Sequence, residues 1–357
     1  MKKLSFLFLF LFLLSISTLI SAQETSSTNE PNNLSFSGFL DSYLAHDFND
    51  PFTDTRPYTT QAVYEDQARV NLATATTQLN SENLRGKLTL QTGDSVKANY
   101  AAEEDLFWRY IQEANTGFKI SKNLWFDGGI YLSHIGLESF NSRDNWNYSR
   151  SMVAEYSPYY ETGGKLTYQV SDDFSAQFHI LHGWQNISSS SEPGYGIQLA
   201  YNLNPATQLT YANYLGEQDG GFRNFHDFIV KREINNKWSI ATQIDFGHQE
   251  RQNQDSATWY GWTVVTKYEL TPKFAIGGRV EHYDDPDQVL LTTLNQKRYN
   301  ATGLSVNFDY EILQNLSWRN EYRIFFAQDP VFPEDSSGQF SNNEHFIVTS
   351  LAYFFES

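Results

Sequence analysis

The chain has 357 residues, no cysteine, a formal net charge of −17 and an aromatic content of 16%. The lack of cysteine excludes disulfides, thiolate metal sites and a catalytic thiol. The acidic balance argues against binding to nucleic acid, whose phosphates it would repel. The mean hydropathy of −0.51 is too polar for a bundle of membrane helices. These numbers are compatible with one large β-domain.

The first 22 residues have the pattern of a secretory signal peptide. Lys2 and Lys3 precede an apolar run from Leu4 to Leu14, and the segment ends in the small residues Ser21-Ala22. The run is too short to cross a bilayer, which takes about 20 apolar residues, so a membrane anchor helix is disfavoured. We predict a signal peptide at 1–22, a polar periplasmic lead-in at 23–33 and a single barrel domain at 34–357.

From residue 34 onward, the chain repeats short segments in which apolar and polar residues alternate. In segment 83–93, Leu84 and Leu88 share one face, whereas Arg85 and Lys87 share the other. Because successive side chains of a strand point to opposite faces, each segment has one apolar and one polar face. The pattern predicts sixteen strands at 34–46, 66–77, 83–93, 111–120, 124–134, 158–170, 174–185, 195–203, 207–215, 224–234, 238–248, 258–270, 274–283, 299–310, 316–327 and 345–355.

The connections between the predicted strands alternate in length. Tight turns rich in Asn, Asp and Pro follow the even strands, as at 121–123, 171–173, 204–206, 235–237 and 271–273. Longer polar segments follow the odd strands, at 47–65, 94–110, 135–157, 186–194, 216–223, 249–257, 284–298 and 328–344. Short periplasmic turns and long extracellular loops are typical of outer-membrane barrels. The predicted fold class is therefore all-β, a transmembrane antiparallel β-barrel of about 16 strands.

Aromatic residues lie beside the predicted tight turns, as in the aromatic girdle of a membrane barrel. They are Tyr168, Phe174, Tyr201, Trp238, Tyr268, Phe274, Tyr310 and Trp318. One alternative is a soluble, secreted β-sandwich that binds glycans through Trp and Tyr, but a soluble sheet has no need of such a belt. The last strand ends near Phe355 and resembles the signal that barrel-assembly machinery recognises, although Glu356 and Ser357 follow the aromatic residue.

Several motifs resemble those of one protein family. The most specific run extends from Ser133 to Gly163 and contains Asp144-Asn145-Trp146. The other motifs are Ser37-Gly38-Phe39, Arg56-Pro57, Leu84-Arg85-Gly86, Leu124-Trp125-Phe126-Asp127-Gly128-Gly129 and Gly183-Trp184-Gln185. On these motifs, the chain resembles the OmpL-like β-barrel porins (β-barrel porin type 2), common in Bacteroidetes-like bacteria. The resemblance covers mainly the first half of the mature chain. It implies an outer-membrane channel with neither enzyme activity nor a cofactor.

A barrel of about sixteen strands is wide enough to hold an aqueous channel. Opposed charges on its inner wall would select among polar solutes, or would simply pair along the wall and serve barrel closure. The charged residues predicted to line the pore are Arg69, Arg85, Lys87, Lys119, Asp127, Glu161, Lys165, Asp245, Glu269, Arg279, Glu281, Arg319, Glu321 and Arg323. By analogy with porins whose third outer loop enters the lumen, segment 135–157 supplies the constriction-loop candidates Glu138, Arg143, Asp144, Trp146 and Arg150.

These patterns predict a porin in the bacterial outer membrane that lets small hydrophilic solutes diffuse passively through a water-filled lumen. The alternative is a plugged barrel that serves as an adhesin or receptor scaffold through its extracellular loops. We expect no enzyme activity, because no G-x-S-x-G motif stands at a strand-to-helix turn, and no cofactor or metal. The expected partners are outer-membrane lipid, the barrel-assembly machinery during insertion and small solutes; association of several copies of the chain is left open.

Overall fold

The structure is a computed structural model that describes residues 33–53, 55–189, 191–335 and 338–357. The predicted signal peptide at 1–22 and nearly all of the lead-in at 23–33 lie outside these ranges, so both stay predictions. Within the described ranges, no helix combines the length and the apolar character that crossing a bilayer requires.

Sixteen long strands close into one antiparallel barrel, as predicted. The first and last of them pair with each other, from Ser37 opposite Glu356 to Asp47 opposite Phe346. The barrel strands are β1 Asn33–Asp47, β2 Arg69–Asn80, β3 Leu84–Thr92, β4 Ile111–Ser121, β5 Leu124–Leu132, β6 Tyr160–Gln169, β7 Phe174–Leu181, β8 Gly194–Asn204, β9 Thr207–Gln218, β10 Gly221–Glu233, β11 Trp238–Gln249, β12 Ala257–Thr271, β13 Phe274–Asp285, β14 Tyr299–Leu313, β15 Leu316–Ala327 and β18 Asn343–Glu356.

The described parts of the connections contain a small hairpin, two short α-helices and two single-turn 3-10 helices, Trp108–Tyr110 and Ser142–Asp144. The hairpin, β16 Phe332–Glu334 and β17 Gln339–Ser341, lies between β15 and β18. The two α-helices, α1 Asp94–Asn99 and α2 Met152–Glu155, lie in the connections that follow β3 and β5. We call the end of the barrel with the connections 81–83, 122–123 and 272–273 the turn end, and the opposite end the loop end.

Two parts of the predicted strand pattern were wrong. Segment 216–223 is not a loop, because β9 and β10 are joined by a two-residue turn at Asp219-Gly220, with Gln218 opposite Gly221. Both turn residues have positive φ angles (52° and 79°), which an Asp-Gly pair tolerates in this type of hairpin. The second strand is β2 Arg69–Asn80 rather than 66–77, because the turn closes only at Ser81, whose Oγ accepts the N–H of Leu84 (3.1 Å).

The two faces of the wall differ in polarity as the alternation predicted. On β11, the Ile244 side chain is 51% exposed on the outside, whereas its neighbours Gln243 and Asp245 are buried on the inside. Exposed aromatic residues bound the apolar outer band at both ends, as expected at the two interfaces of a bilayer. At the turn end these are Tyr168, Tyr201, Trp238, Tyr310 and Trp318, and at the loop end Tyr195, Phe222, Phe246, Tyr260 and Phe326.

The facing of the strands can be tested with one charge placed on either side of the wall. Ile244→Arg puts a guanidinium group in the lipid-facing band, and we expect it to lower the free energy of unfolding by about 2–4 kcal/mol. Thr210→Arg is the matched control, because Thr210 is half-buried on the inner face of β9. Denaturant unfolding of protein refolded into lipid vesicles measures both variants. Equal losses would contradict the assignment of the two faces.

Candidate functional site

One long connection folds back into the barrel. It joins β5 to β6 and contains the predicted constriction segment 135–157; we refer to residues 133–159 as the inserted loop. Its backbone N–H groups donate hydrogen bonds to inward-facing side chains of five strands. The bonds, each from a backbone nitrogen to a side-chain oxygen, are Gly136 to Asp227 Oδ2 (2.8 Å), Leu137 to Gln243 Oε1 (2.9 Å), Tyr148 to Asn307 Oδ1 (3.1 Å), Ser149 to Glu321 Oε2 (2.6 Å) and Met152 to Glu281 Oε2 (2.7 Å). The wall thus supplies the partners that a buried backbone requires.

A group of five buried charged residues, the charge lattice, fastens the inserted loop to β13 and β15. Arg279 contacts Glu281 (3.1 Å), Glu321 (2.9 Å) and Glu138 of the loop (3.4 Å). Arg323 pairs with Glu281 at 2.6 Å. Both arginines also donate to loop backbone carbonyl oxygens. Four of these residues were predicted to line the pore; they do point inward, but they lie between the wall and the loop rather than against open space.

Arg319 and Asp41 hold the middle of the inserted loop. Arg319 donates to the carbonyl oxygens of Ser142 and of Asn145 (Nη2 to O, 2.9 Å for the latter). Asp41, fully buried on β1, accepts hydrogen bonds from Ser142 Oγ (3.0 Å) and Tyr148 Oη (3.1 Å). Arg319 was predicted to line the pore and again lies against the loop. The sequence analysis missed Asp41, although the alternation along β1 places its side chain on the inward face of the strand.

The water-accessible part of the first half of the wall lies near the turn end, along β2 to β7. A cavity of about 260 Å³ there is lined by polar side chains. Arg85 pairs with Asp127 (Nε to Oδ1, 2.6 Å), and Lys87 pairs with Glu113 (Nζ to Oε1, 2.8 Å). Each basic side chain remains 34% exposed, whereas the acids are buried. Of the predicted pore-lining residues, Arg85, Lys87 and Asp127 are therefore brought together in one ion-paired wall.

Two further lysines of this half lie beside aromatic rings. Lys165 Nζ lies 4.6 Å from the ring centroid of Tyr131, and Lys119 Nζ lies 5.8 Å from that of Trp125. Both lysines are half-buried, and Lys165 also lines the cavity of about 260 Å³. A cation over an aromatic face keeps its charge available to solvent while its stem is packed.

A second cavity, of about 330 Å³, lies at the turn end beside β12 to β15. Glu269 lines it, is exposed and pairs with Lys267 (2.9 Å). Arg143 of the inserted loop reaches the same cavity and stacks over the ring of Phe354 at 3.8 Å. Glu269 was predicted to line the pore and Arg143 to belong to the constriction loop, and the fold places both at this cavity.

The remaining predicted pore-lining residues lie away from both cavities. Arg69 forms a two-pronged ion pair with Asp94 of α1 (2.5 and 2.9 Å) near the loop end. Asp245 is buried and accepts from Gln243 Nε2 (3.0 Å). Glu161 is buried against His134 of the inserted loop. Arg69 and Glu161 therefore attach connections to the wall, whereas Asp245 bonds to a neighbouring side chain of its own strand.

The constriction-loop candidates divide into two groups. The Glu138 side chain is 4% exposed and accepts from Ser151 N–H (2.7 Å), and Arg150 is buried over the ring of Tyr159 (3.7 Å). Arg143 and Asp144 are exposed, and Trp146 is half-buried. The backbone at Trp146 comes so close to β13 that a Cβ at Gly277 would meet its carbonyl oxygen at 2.3 Å. Only glycine at 277 permits this approach.

Inward-facing aromatic residues fill the loop end of the lumen, which the sequence analysis did not foresee. We call Tyr214, Phe225, Trp259, Tyr283, Tyr299, Phe325 and Phe346 the loop-end aromatic cluster; all seven are buried. Residues of the connections pack against it. Trp184 lies 5.0 Å from the Tyr214 ring and 5.1 Å from the Phe225 ring, and Met152 and Val153 of α2 belong to the same apolar core. Alternation predicted the direction of these side chains but not that loops would cover them.

A closed sixteen-stranded barrel with an apolar outer band between aromatic belts and a charged interior is an outer-membrane β-barrel. The chain belongs to the family "Putative beta-barrel porin-2, OmpL-like", which matches residues 33–355. The predicted family resemblance and the outer-membrane location are thereby confirmed. No curated protein matches the sequence.

Solved structures of low sequence identity share the fold. The outer-membrane protein OmpT of Vibrio cholerae, in its trimer form, is 9% identical, with a TM-score of 0.62 over 91% of this chain and 100% of that one. The outer-membrane channel DcaP of Acinetobacter baumannii is 8% identical, with a TM-score of 0.62 over 93% and 100%. The anion-selective porin from Comamonas acidovorans is 10% identical, with a TM-score of 0.60 over 91% and 100%.

The charge lattice gives a test of how the inserted loop is held. Arg279→Met leaves three buried carboxylates without their shared cation, and we expect it to lower the free energy of unfolding by about 3–5 kcal/mol. Because the loop would lose its anchor, we also expect limited proteolysis to cut within residues 133–159. Arg251→Met is the control: its pair with Asp287 is partly exposed, so its loss should cost at most about 1 kcal/mol. A loop that stays protease-resistant in Arg279→Met would contradict this anchoring.

Proposed function

We propose that this protein is a channel, not an enzyme, through which small hydrophilic solutes diffuse passively across the outer membrane. The observation that supports it best is the cavity at the turn end along β2 to β7, whose wall is polar and water-accessible while the outer face of the same strands is apolar. A solute in such a cavity exchanges its hydration shell for side chains that can bond it.

The path we propose lies to one side of the lumen. The inserted loop occupies the space beside β10 to β15, where the inward side chains are buried, so the β2–β7 wall is left for the solute. The filter on that wall consists of Arg85, Lys87 and Lys165, with buried Asp127 and Glu113 offsetting the first two. We therefore expect a small conductance with a weak preference for anions.

Single-channel recording in planar bilayers tests this filter. Replacing Arg85 and Lys87 together by Gln removes two accessible cations and leaves two acids, so the reversal potential in a salt gradient should move toward cation selectivity. Asp287→Asn in an outer connection is the control, because charges more than about 8–10 Å from the path are largely screened at physiological salt. A shift in the control but not in the double variant would mean that the connections, and not this wall, select the ions.

The second candidate function, a plugged barrel that displays its connections as an adhesin or receptor, is favoured by one observation. The loop-end aromatic cluster packs against Trp184, Met152 and Val153, which come from connections and not from the wall. Such packing closes the loop end as long as those connections stay in place.

Shortening the inserted loop distinguishes the two functions. Replacing residues 139–149 by a short Gly-Ser linker removes the part of the loop that is bonded to β1 and β15. If the loop narrows a conducting path, the unit conductance should rise several-fold above that of the unmodified barrel. A unit conductance that stays at zero in both proteins would favour the plugged scaffold. Heat-modifiable migration on denaturing gels checks that the shortened barrel is folded.

A further inference from the structure

Three metal-ligating side chains meet inside the barrel, where the sequence analysis expected no metal. They are His134 at the start of the inserted loop, Glu161 on β6 and His179 on β7, and all are buried. His134 Nδ1 lies 2.7 Å from Glu161 Oε1, and His179 Nδ1 lies 3.8 Å from Glu161 Oε2. We propose that these three residues bind one divalent transition-metal ion of the Zn²⁺ class.

The second ring nitrogens of both histidines support this assignment. His134 Nε2 lies 2.9 Å from the carbonyl oxygen of Asn213, and His179 Nε2 lies 3.1 Å from Gln177 Oε1. Each of these acceptors takes an Nε2–H, so the Nδ1 atoms are the ones that face Glu161. The 2.7 Å separation of His134 Nδ1 and Glu161 Oε1 is that of a hydrogen bond, and a bound ion would take the place of the proton between them. A histidine that donates one ring N–H to an oxygen and presents the other nitrogen is the usual arrangement of a metal ligand.

Two of the polar atoms between the three side chains lack hydrogen-bond partners in the part of the chain that the structure describes, whereas Glu161 Oε1 also accepts from Ser133 Oγ (3.0 Å). Among the described residues, neither Glu161 Oε2 nor His179 Nδ1 has a hydrogen-bond partner, although both are buried. Buried polar atoms without partners are costly, and a cation between them would satisfy both. Ligand atoms of a tetrahedral zinc site lie roughly 3.3 Å apart, and the two N···O separations of 2.7 and 3.8 Å bracket this value.

The sequence offered no spacing that signals this site. His182 is close to His179 in sequence but lies past the end of β7, where its Nε2 is 2.7 Å from the Ser189 carbonyl oxygen. The partner of His179 is the distant His134, whose ring stacks on it at 4.1 Å. Gly196 lies opposite His179 on the next strand, and a Cβ there would meet the His134 ring at 2.6 Å. Because Gly196 has no side chain, the His134 ring can pack closely against the inner face of the wall at this position.

The water-accessible cavity along β2 to β7 adjoins the site. Tyr131 and Gln177 line that cavity, and the Tyr131 ring lies 6.0 Å from the His179 ring. Bound there, the ion would tie the first residues of the inserted loop to β6 and β7. This assignment does not depend on whether the barrel conducts.

The experiment measures metal bound to the folded, full-length mature barrel in detergent. After treatment with EDTA and desalting, the protein is titrated with Zn²⁺ and its metal content is measured by mass spectrometry. Co²⁺ is the spectroscopic probe, because its visible absorption reports nitrogen and oxygen ligands in a low-symmetry site. We expect one tightly bound ion per chain and a higher melting temperature with Zn²⁺. A wild-type barrel that binds no stoichiometric metal would overturn the assignment and leave a His134–Glu161 ion pair.

The variants locate the ion. His134→Gln and His179→Gln should each lose the stoichiometric Zn²⁺ and the Co²⁺ spectrum. Gln177→Ala keeps all three ligands and should weaken binding by roughly 10–100-fold, which keeps the test valid if a ligand variant fails to fold. His46→Gln is the matched control, because His46 lies with Glu65 and Asp66 in an exposed cluster elsewhere. Binding that survives in both ligand variants, or that is lost in His46→Gln, would overturn the proposal.

Discussion

The whole structure depends on one constraint: a backbone N–H or C=O group in a dry environment must find a partner. In the wall, pairing of β1 with β18 leaves no strand edge facing lipid. In the lumen, much of the inserted loop is also buried. Inward-facing carboxylate and amide groups such as Glu281, Glu321 and Asn307 accept its N–H groups. These inward-facing groups are therefore bonded to the loop and are not free to bond to a solute.

The charge lattice also holds the loop in one position relative to the wall. Buried ion pairs are often no more stabilising than apolar residues of the same volume, because desolvation offsets their attraction. Arg279, however, contacts carboxylates on β13, on β15 and on the loop at the same time. The path that the loop takes in the structure satisfies all three contacts at once. The same burial removes these side chains from contact with a permeating solute, so inward direction alone does not make a residue part of a channel.

The sequence contained nearly all of the barrel and only part of the site. Strand number and facing follow from a local period of two, and the closed sixteen-stranded barrel confirms them, apart from the bounds of β2 and the segment 216–223. The Asp219-Gly220 turn could have been predicted from its two residues. We predicted a loop there instead, because longer segments follow the other odd strands. The depth of Arg323 or Asp245 in the lumen was not readable, because it depends on a loop that arrives from another part of the chain. The grouping of His134 with His179 is likewise a result of that loop's path.

The loop-end aromatic cluster and the charge lattice act on the same helix. Met152 of α2 donates its N–H to Glu281 of the lattice, and its sulfur lies 3.7 Å from the Tyr299 hydroxyl in the aromatic cluster. A movement of α2 that opens the loop end must therefore break lattice hydrogen bonds and expose aromatic surface in one step. Neither change can be made in small increments, since a packed core and a buried ion pair both lose most of their energy within a short displacement. If the proposed channel opens by this movement, its opening is expected to be all-or-none rather than graded.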